Sequence, residues 1–350
     1  MNMDENDFVL TEAEVAAAQQ ELDVSPTGLG VKPDAQPTPA AVATTVPPED
    51  RDRFTWMVQA LTAPAKRVIF HYTVGDESLT RSVVAWGHPD TGAVATMAQT
   101  GTLLRFGTRS AEDLVLVTAD VLAVDAGVHE TVLGLTMSVS GLLTWLAIVE
   151  HLRALKLSAV LGHYAPEHFF NRAEVEARLA GAVDEDFRWP LMFFAKVLPA
   201  DGAAALGGVD LEEGLAELEA LEIIEDAGAG IWETTHQGDW LAGEITSSVS
   251  KVGCGVAAHR PDGAVGYRTI MFVRSPLHVL MLVIDGDEGV IAAVSADRVV
   301  EFVEDVFASP DSDGSPIAAA GVFCPACGAE MHSGDRFCAQ CGAPAPGGVS

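Results

Sequence analysis

Apolar residues recur with period two along several short runs of this chain and with helical period along others. Arg67–Thr73 (RVIFHYT) and Arg81–Trp86 (RSVVAW) alternate and are rich in β-branched and aromatic residues. Ala93–Gln99 and Thr102–Gly107 continue the series around glycine-bearing turns. Ser110-Ala111-Glu112-Asp113 then opens a helix with Leu114, Val115, Val117, Val121 and Leu122 at its apolar positions. The same order returns later. Val256–His259, Tyr267–Val273, His278–Ile284 and Gly289–Val294 predict four strands. Ser295-Ala296-Asp297 starts a helix carrying Val299, Val300, Phe302, Val303 and Val306. LRFGTRSAEDLVLVTADVLA and VIAAVSADRVVEFVEDVFA share a strand, a Ser-Ala-acid start and the helical spacing, and His71 and His259 fall at similar places. The expectation is an internal duplication of a strand-rich unit closed by a helix.

Between the copies the period is helical. Ser138–Leu161 predicts a long apolar helix, and Ala173–Val183 and Arg188–Leu198 two amphipathic ones. Thr131–Val149 is nineteen residues without a charge, near the lower limit of a membrane span. Its Gly, Ser and Thr content favours a buried helix, or two helices broken near Gly141, over a span. Next, Asp210–Leu221 predicts a helix, Ile223–Glu225 a strand, Gly228–Gly230 a turn and Ile231–Thr235 a second strand. Gln237-Gly238-Asp239-Trp240-Leu241-Ala242 opens a last helix. This order, with its T-x-x-G-x-x-L-A segment, resembles the end of a winged helix-turn-helix.

The predicted organisation follows. Residues 1–52 form a mostly disordered tail, rich in Pro, Ala and Thr over Lys32–Asp50. Within it Thr11 and Glu14 make a capping box for a short helix over 11–22. Residues 53–125 form one α/β lobe, 126–250 a helical, winged-helix-like region, 251–308 the second lobe and 309–321 a linker. The fold class is α+β: two similar sheet-plus-helix lobes around a helical middle, with a small metal domain over 322–346.

That last domain is read from chemistry. Cys324-Pro325-Ala326-Cys327-Gly328 is followed by Cys338-Ala339-Gln340-Cys341-Gly342. Two CxxC turns place four thiolates for one tetrahedral Zn²⁺, a closed structural site rather than a catalytic one. So short a segment cannot bury a core, and metal binding must supply its folding free energy. The spacing favours zinc over two disulfides. The pattern resembles the zinc ribbons appended to many prokaryotic proteins, which implies fold and metal but no activity. The fifth cysteine, Cys254, stands in an apolar stretch and is expected to be buried. This cysteine usage points to the cytoplasm.

Charge narrows the function classes. Twenty Lys plus Arg face fifty Asp plus Glu, a formal charge of −30. That field repels phosphate backbones and anionic membranes and suits a basic protein partner. The helix at 210–221 carries Asp210, Glu212, Glu213, Glu217 and Glu219 and no cation, so it is unsuited to a major groove. No phosphate loop, nucleophile elbow, zincin motif or dinucleotide fingerprint occurs. His163 and His168 beside Glu167 are read as structural. The expected activity is therefore non-enzymatic: a cytoplasmic adaptor or chaperone for a partner protein. Glu212, Glu213, Glu217, Trp232 and Trp240 are the candidate contacts. Two alternatives stand beside it: a transcription-related protein using wing and ribbon, and a structural part of a secretion or injection assembly. Open sheet edges allow a homodimer.

Over residues 67–123 and 256–308 the order of elements resembles the cytosolic chaperones of ESX (type VII) secretion systems. Their two quasi-equivalent halves each place a sheet before a helix, and they bind helical secretion substrates. The winged insert, the Pro-rich tail and the ribbon depart from that family, and no site residue carries over.

Overall fold

A computed structural model describes residues 7–26, 29–33, 37, 46–75, 77–86, 93–100, 103–129, 131–165, 168–181, 189–198, 206–259, 264–307, 322–323 and 330–331. The fold is α+β and is built on one antiparallel sheet of ten strands. Its first half comprises β1 (Phe8–Thr11), α1 (Glu12–Glu21), α2 (Arg51–Thr62), β2 (Lys66–Val74), β3 (Glu77–Trp86), β4 (Ala93–Thr100), β5 (Leu103–Ser110) and α3 (Ala111–Val121). The second half begins with β6 (Gly134–Ser138) and α4 (Val139–Gly162). It resumes with β10 (Ser250–His259), β11 (Val265–Arg274), β12 (Val279–Asp285), β13 (Glu288–Val294) and α9 (Ala296–Phe307).

The strand order is β1-β5-β4-β3-β2-β10-β11-β12-β13-β6, which reads alike from either end. The duplication is therefore larger than the sequence pattern suggests. Each unit opens with a short edge strand leading into a helix, then runs through a four-stranded meander to a closing helix. Thr11 and Ser138, the N-caps of α1 and α4, occupy matching places: Thr11 lies opposite Leu103 and Ser138 opposite Glu288, each the first residue of its unit's fourth strand. The sequence placed β1 in a disordered tail and β6 inside a buried helix. Both are short, and an edge strand gains its stability from the neighbour it pairs with, which a local pattern does not show. The two histidines are not matched either: His71 lies mid-strand opposite Gly253, whereas His259 ends β10.

The N-terminal elements belong to the body. Phe8–Thr11 pairs with β5, and Leu10 and Val15 are buried. Gln19 donates its side-chain amide to Thr62 Oγ1 and to the Val31 carbonyl, both at 3.0 Å, tying α1 to α2.

Alternation along the strands sends side chains to both faces of the sheet. One face carries Val68, Phe70, Tyr72, Val252, Cys254, Val256, Ile270 and Phe272, and α3 and α9 pack side by side over it. Lys66 and Arg268 are buried at the far end of α9. Lys66 Nζ donates to the Asp305 carbonyl at 3.3 Å, where a cation suits a helix C-terminus, and Arg268 pairs with Asp285 at 3.1 Å. On the other face, α1 and α2 cover the first unit through Leu10, Phe54, Met57 and Phe106. The second unit is covered by α4 and by an insert between α4 and β10.

The insert comprises β7 (Phe169–Asn171), α5 (Arg172–Gly181), α6 (Pro190–Val197), α7 (Leu211–Ala220), β8 (Ile224–Gly228), β9 (Ile231–Thr234) and α8 (His236–Thr246). Its three strands pair in the order β7-β9-β8. Helix α6 rests on the central strands β2, β10 and β11. β10 meets it with Gly253 and Gly255, where a β-carbon would run into Phe193 and Val197. Lastly, β14 (Val322–Phe323) and β15 (Glu330–Met331) form a two-residue antiparallel ladder.

Candidate protein interaction surface

Helix α4 organises the second unit. Its cap is Ser138, whose hydroxyl accepts from the Gly141 N–H at 3.0 Å. Every residue from Gly141 to Leu152 is buried. The uncharged stretch that raised the question of a membrane span thus spans the edge strand β6 and the core half of α4. Among the described residues no helix is long and apolar enough to cross a membrane. The alternative of two helices broken near Gly141 does not hold: Gly141 lies inside α4, and the change at Ser138 is from strand to helix.

Two inward-turned carboxylates, one half-buried and one fully buried, fix helix starts around α4. Glu217 of α7 accepts from the Ser138 N–H at 2.9 Å and from the Ser138 hydroxyl at 2.7 Å, at the N-terminus of α4. Glu150 of α4, fully buried, accepts from the Leu191 N–H at 2.6 Å, at the N-terminus of α6. A helix N-terminus presents unpaired N–H donors and a positive dipole end, so an anion placed there is stabilised.

The five candidate contact residues separate. Glu212 and Glu213 are exposed on the first turn of α7, where their N–H groups reach the Asp210 cap at 3.1 Å. Glu212 makes only a long, exposed pair with Arg172 at 3.7 Å. Glu217 is turned inward to Ser138. Leu211, Leu215 and Leu218 seat the opposite side of α7 in the core shared with α4. Trp232 on β9 and Trp240 on α8 are half-buried against that same core. The structure therefore brings Glu212 and Glu213 together and leaves the other three as parts of the packing.

Trp240 lies edge-on to His278, ring centres 5.7 Å apart. His278 Nδ1 stands 2.9 Å from Glu244 of α8, and the Ser275 hydroxyl donates to the same carboxylate. Arg274 donates to the carbonyls of Ser275 at 2.8 Å and Gly127 at 3.3 Å. The serine and the imidazole both address the carboxylate. In a hydrolytic triad the imidazole would take the serine proton instead. The cluster joins α8, the β11–β12 turn and the segment before β6. No group of three metal-ligating side chains occurs among the described residues. Cys324, Cys327, Cys338 and Cys341 lie outside them, as does Glu167.

Sequence reasoning missed the far end of α4. There Leu157, Val160, Leu161 and Tyr164 are about half exposed or more. The available signal was the change in composition after Glu150, where Arg153, Lys156 and Ser158 break an unbroken apolar run.

No family model matches the chain, and no curated protein matches it. Among solved structures, the Mycobacterium tuberculosis type VII secretion system chaperone EspG5, in complex with a PE25–PPE41 dimer, is similar at 12% identity and a TM-score of 0.42. The alignment covers 86% of this chain and 95% of that one. Identity and TM-score at this level assign neither a family nor a function.

Proposed function

We propose that this protein is a non-enzymatic adaptor or chaperone that binds a partner protein in the cytoplasm. The observation that carries the reading is the orientation of α7: its leucines are buried while Glu212, Glu213 and Glu219 face solvent. The element order α4-β7-α5-α7-β8-β9, with strands ordered β7-β9-β8 and α6 inserted before α7, supports a winged helix-turn-helix-like reading. In that arrangement α7 takes the place of the recognition helix. An outer face of carboxylates repels phosphates and suits a cationic protein surface.

A zinc ribbon supplies a second module in this reading, with Cys324, Cys327, Cys338 and Cys341 holding one structural Zn²⁺. The pairing of β14 with β15 on either side of the stretch containing Cys324 and Cys327 supports it. The test is affinity purification of the full chain from its native cells, followed by native mass spectrometry. A stoichiometric protein partner is expected, with binding weakened by neutralising Glu212, Glu213 and Glu219. Recovery of the chain without such a partner, or a mobility shift with nucleic acid that weakens steeply with salt, overturns the reading.

A further inference from the structure

Helix α4 is longer than its core requires. Its counterpart in the first unit, α1, has 10 residues, whereas α4 has 24, and its continuous buried run stops at Leu152. The remaining residues, Arg153 to Gly162, carry the helix on by about 15 Å at 1.5 Å per residue. Ala159 on its inner side is still buried, and the outward side of such an extension would ordinarily be polar. Here Leu157, Val160, Leu161 and Tyr164 are 49%, 72%, 82% and 55% exposed. The spacing of Leu157, Val160 and Leu161 at i, i+3 and i+4 puts these three on one face. The Tyr164 ring lies back against Gly162 beyond the left-handed His163, past the helix end.

The charges along this part of α4 differ from those of the rest of the chain, although the neighbouring α5 carries Glu174 and Glu176. No Asp or Glu occurs between His151 and Tyr164, while Arg153 and Lys156 stand one turn before the apolar cluster. Arg153 already stacks on Trp189, 4.7 Å from its ring centre, so Lys156 is the cation best placed for an incoming carboxylate. Apolar surface on the order of a few hundred Å² is what an interaction site exposes. It falls short of the roughly 800 Å² per partner that a stable protein dimer buries. A second copy of this face would also bring no carboxylate to Lys156.

We infer that the projecting end of α4 is a docking site for a short amphipathic helix of a partner protein, one whose apolar stripe is flanked by carboxylates. The inference rests on the adaptor reading and adds to it a place and a partner chemistry, distinct from the acidic face of α7. The partner's apolar stripe covers Leu157, Val160 and Leu161, and its carboxylate meets Lys156.

The test uses the full chain and a two-turn synthetic peptide with leucines at i, i+3, i+4 and i+7 and glutamates beside them. Fluorescence anisotropy should show binding that falls about tenfold or more in the double variant Val160→Asp/Leu161→Asp, the equivalent of about 1.4 kcal/mol. Lys156→Glu should weaken it several-fold, and a lysine-flanked peptide should recover binding to that variant. Because these positions are exposed or at the helix margin, circular dichroism and the thermal midpoint should match the parent. No binding, equal binding of a scrambled peptide, or indifference to both variants overturns the site. So does a photo-crosslinker at position 161 that joins to a second copy or to residues 308–350 of its own chain. If the native partner co-purifies equally with Val160→Asp/Leu161→Asp, this site falls and the adaptor reading stands. If the parent chain recovers no partner, both fall.

Discussion

Gly255 lies directly under Val197: a β-carbon on Gly255 would overlap the Val197 carbonyl oxygen. The contact joins the central strand β10 to α6 beside the boundary between the two units. Gly253 makes the neighbouring approach to Phe193.

Gly255→Ala should therefore lower stability by about 1–3 kcal/mol, because the obstacle is backbone and a whole helix must move. Urea unfolding followed by tryptophan fluorescence measures it. A neutral result would mean that α6 does not hold this position.

Glu217 and Glu213 should behave oppositely although both are glutamates of one helix. Glu217→Ala removes the acceptor for two Ser138 donors and should cost about 1–2 kcal/mol. Glu213→Ala should leave the thermal midpoint nearly unchanged while weakening the partner complex. Equal midpoints for the two variants would contradict the inward placement of Glu217.

Lys66 gives a pH signature. Burial pushes its ammonium down to about 8 from 10.5, with nearby Asp305 opposing the shift. Below pH 8 the folded and unfolded chains are both protonated and the full cost of the buried charge is present. Between 8 and 10.5 only the unfolded chain keeps the proton, so that cost shrinks as pH rises. Lys66→Met should accordingly lose stability relative to the parent between pH 7 and pH 10, by up to on the order of 3 kcal/mol. Paired urea midpoints at the two pH values read it. A constant difference would show that Lys66 is not buried as described.

Metal removal and thiol counting test the proposed ribbon together. Chelation should release one equivalent of zinc and leave the main thermal transition in place. Ellman's reagent should then titrate four thiols quickly, while Cys254, buried and pushed up to about 12, reacts only after denaturant. Five equally fast thiols, or collapse of the whole fold on chelation, would refute this division.

The strands of both meanders and the helices closing them were legible because alternation and helical spacing are local properties. The α7-β8-β9-α8 run was legible for the same reason, with its Leu211, Leu215, Leu218 stripe and the glycine turn before Ile231. Glu212 and Glu213 could be placed on an exposed face from spacing alone. Glu217 could not: its partner Ser138 lies 79 residues away, and only packing of α7 on α4 brings them together.

The sequence by itself determined the α+β class, the repeated order of strands and helix, the −30 charge and the two CxxC pairs. Each of these follows from residue identity or from spacing within a few turns of chain. Only the tertiary structure decided that β2 pairs with β10 to join both units in one sheet and that β1 and β6 close its edges. It alone showed that α4 outruns its core and leaves Val160 and Leu161 uncovered. Strand partners, and the point at which burial stops, depend on what the rest of the chain brings alongside. The Leu and Val of α4 run on past that point, and Arg153, Lys156 and Ser158 mark only that the composition changes there, not which side chains stay uncovered.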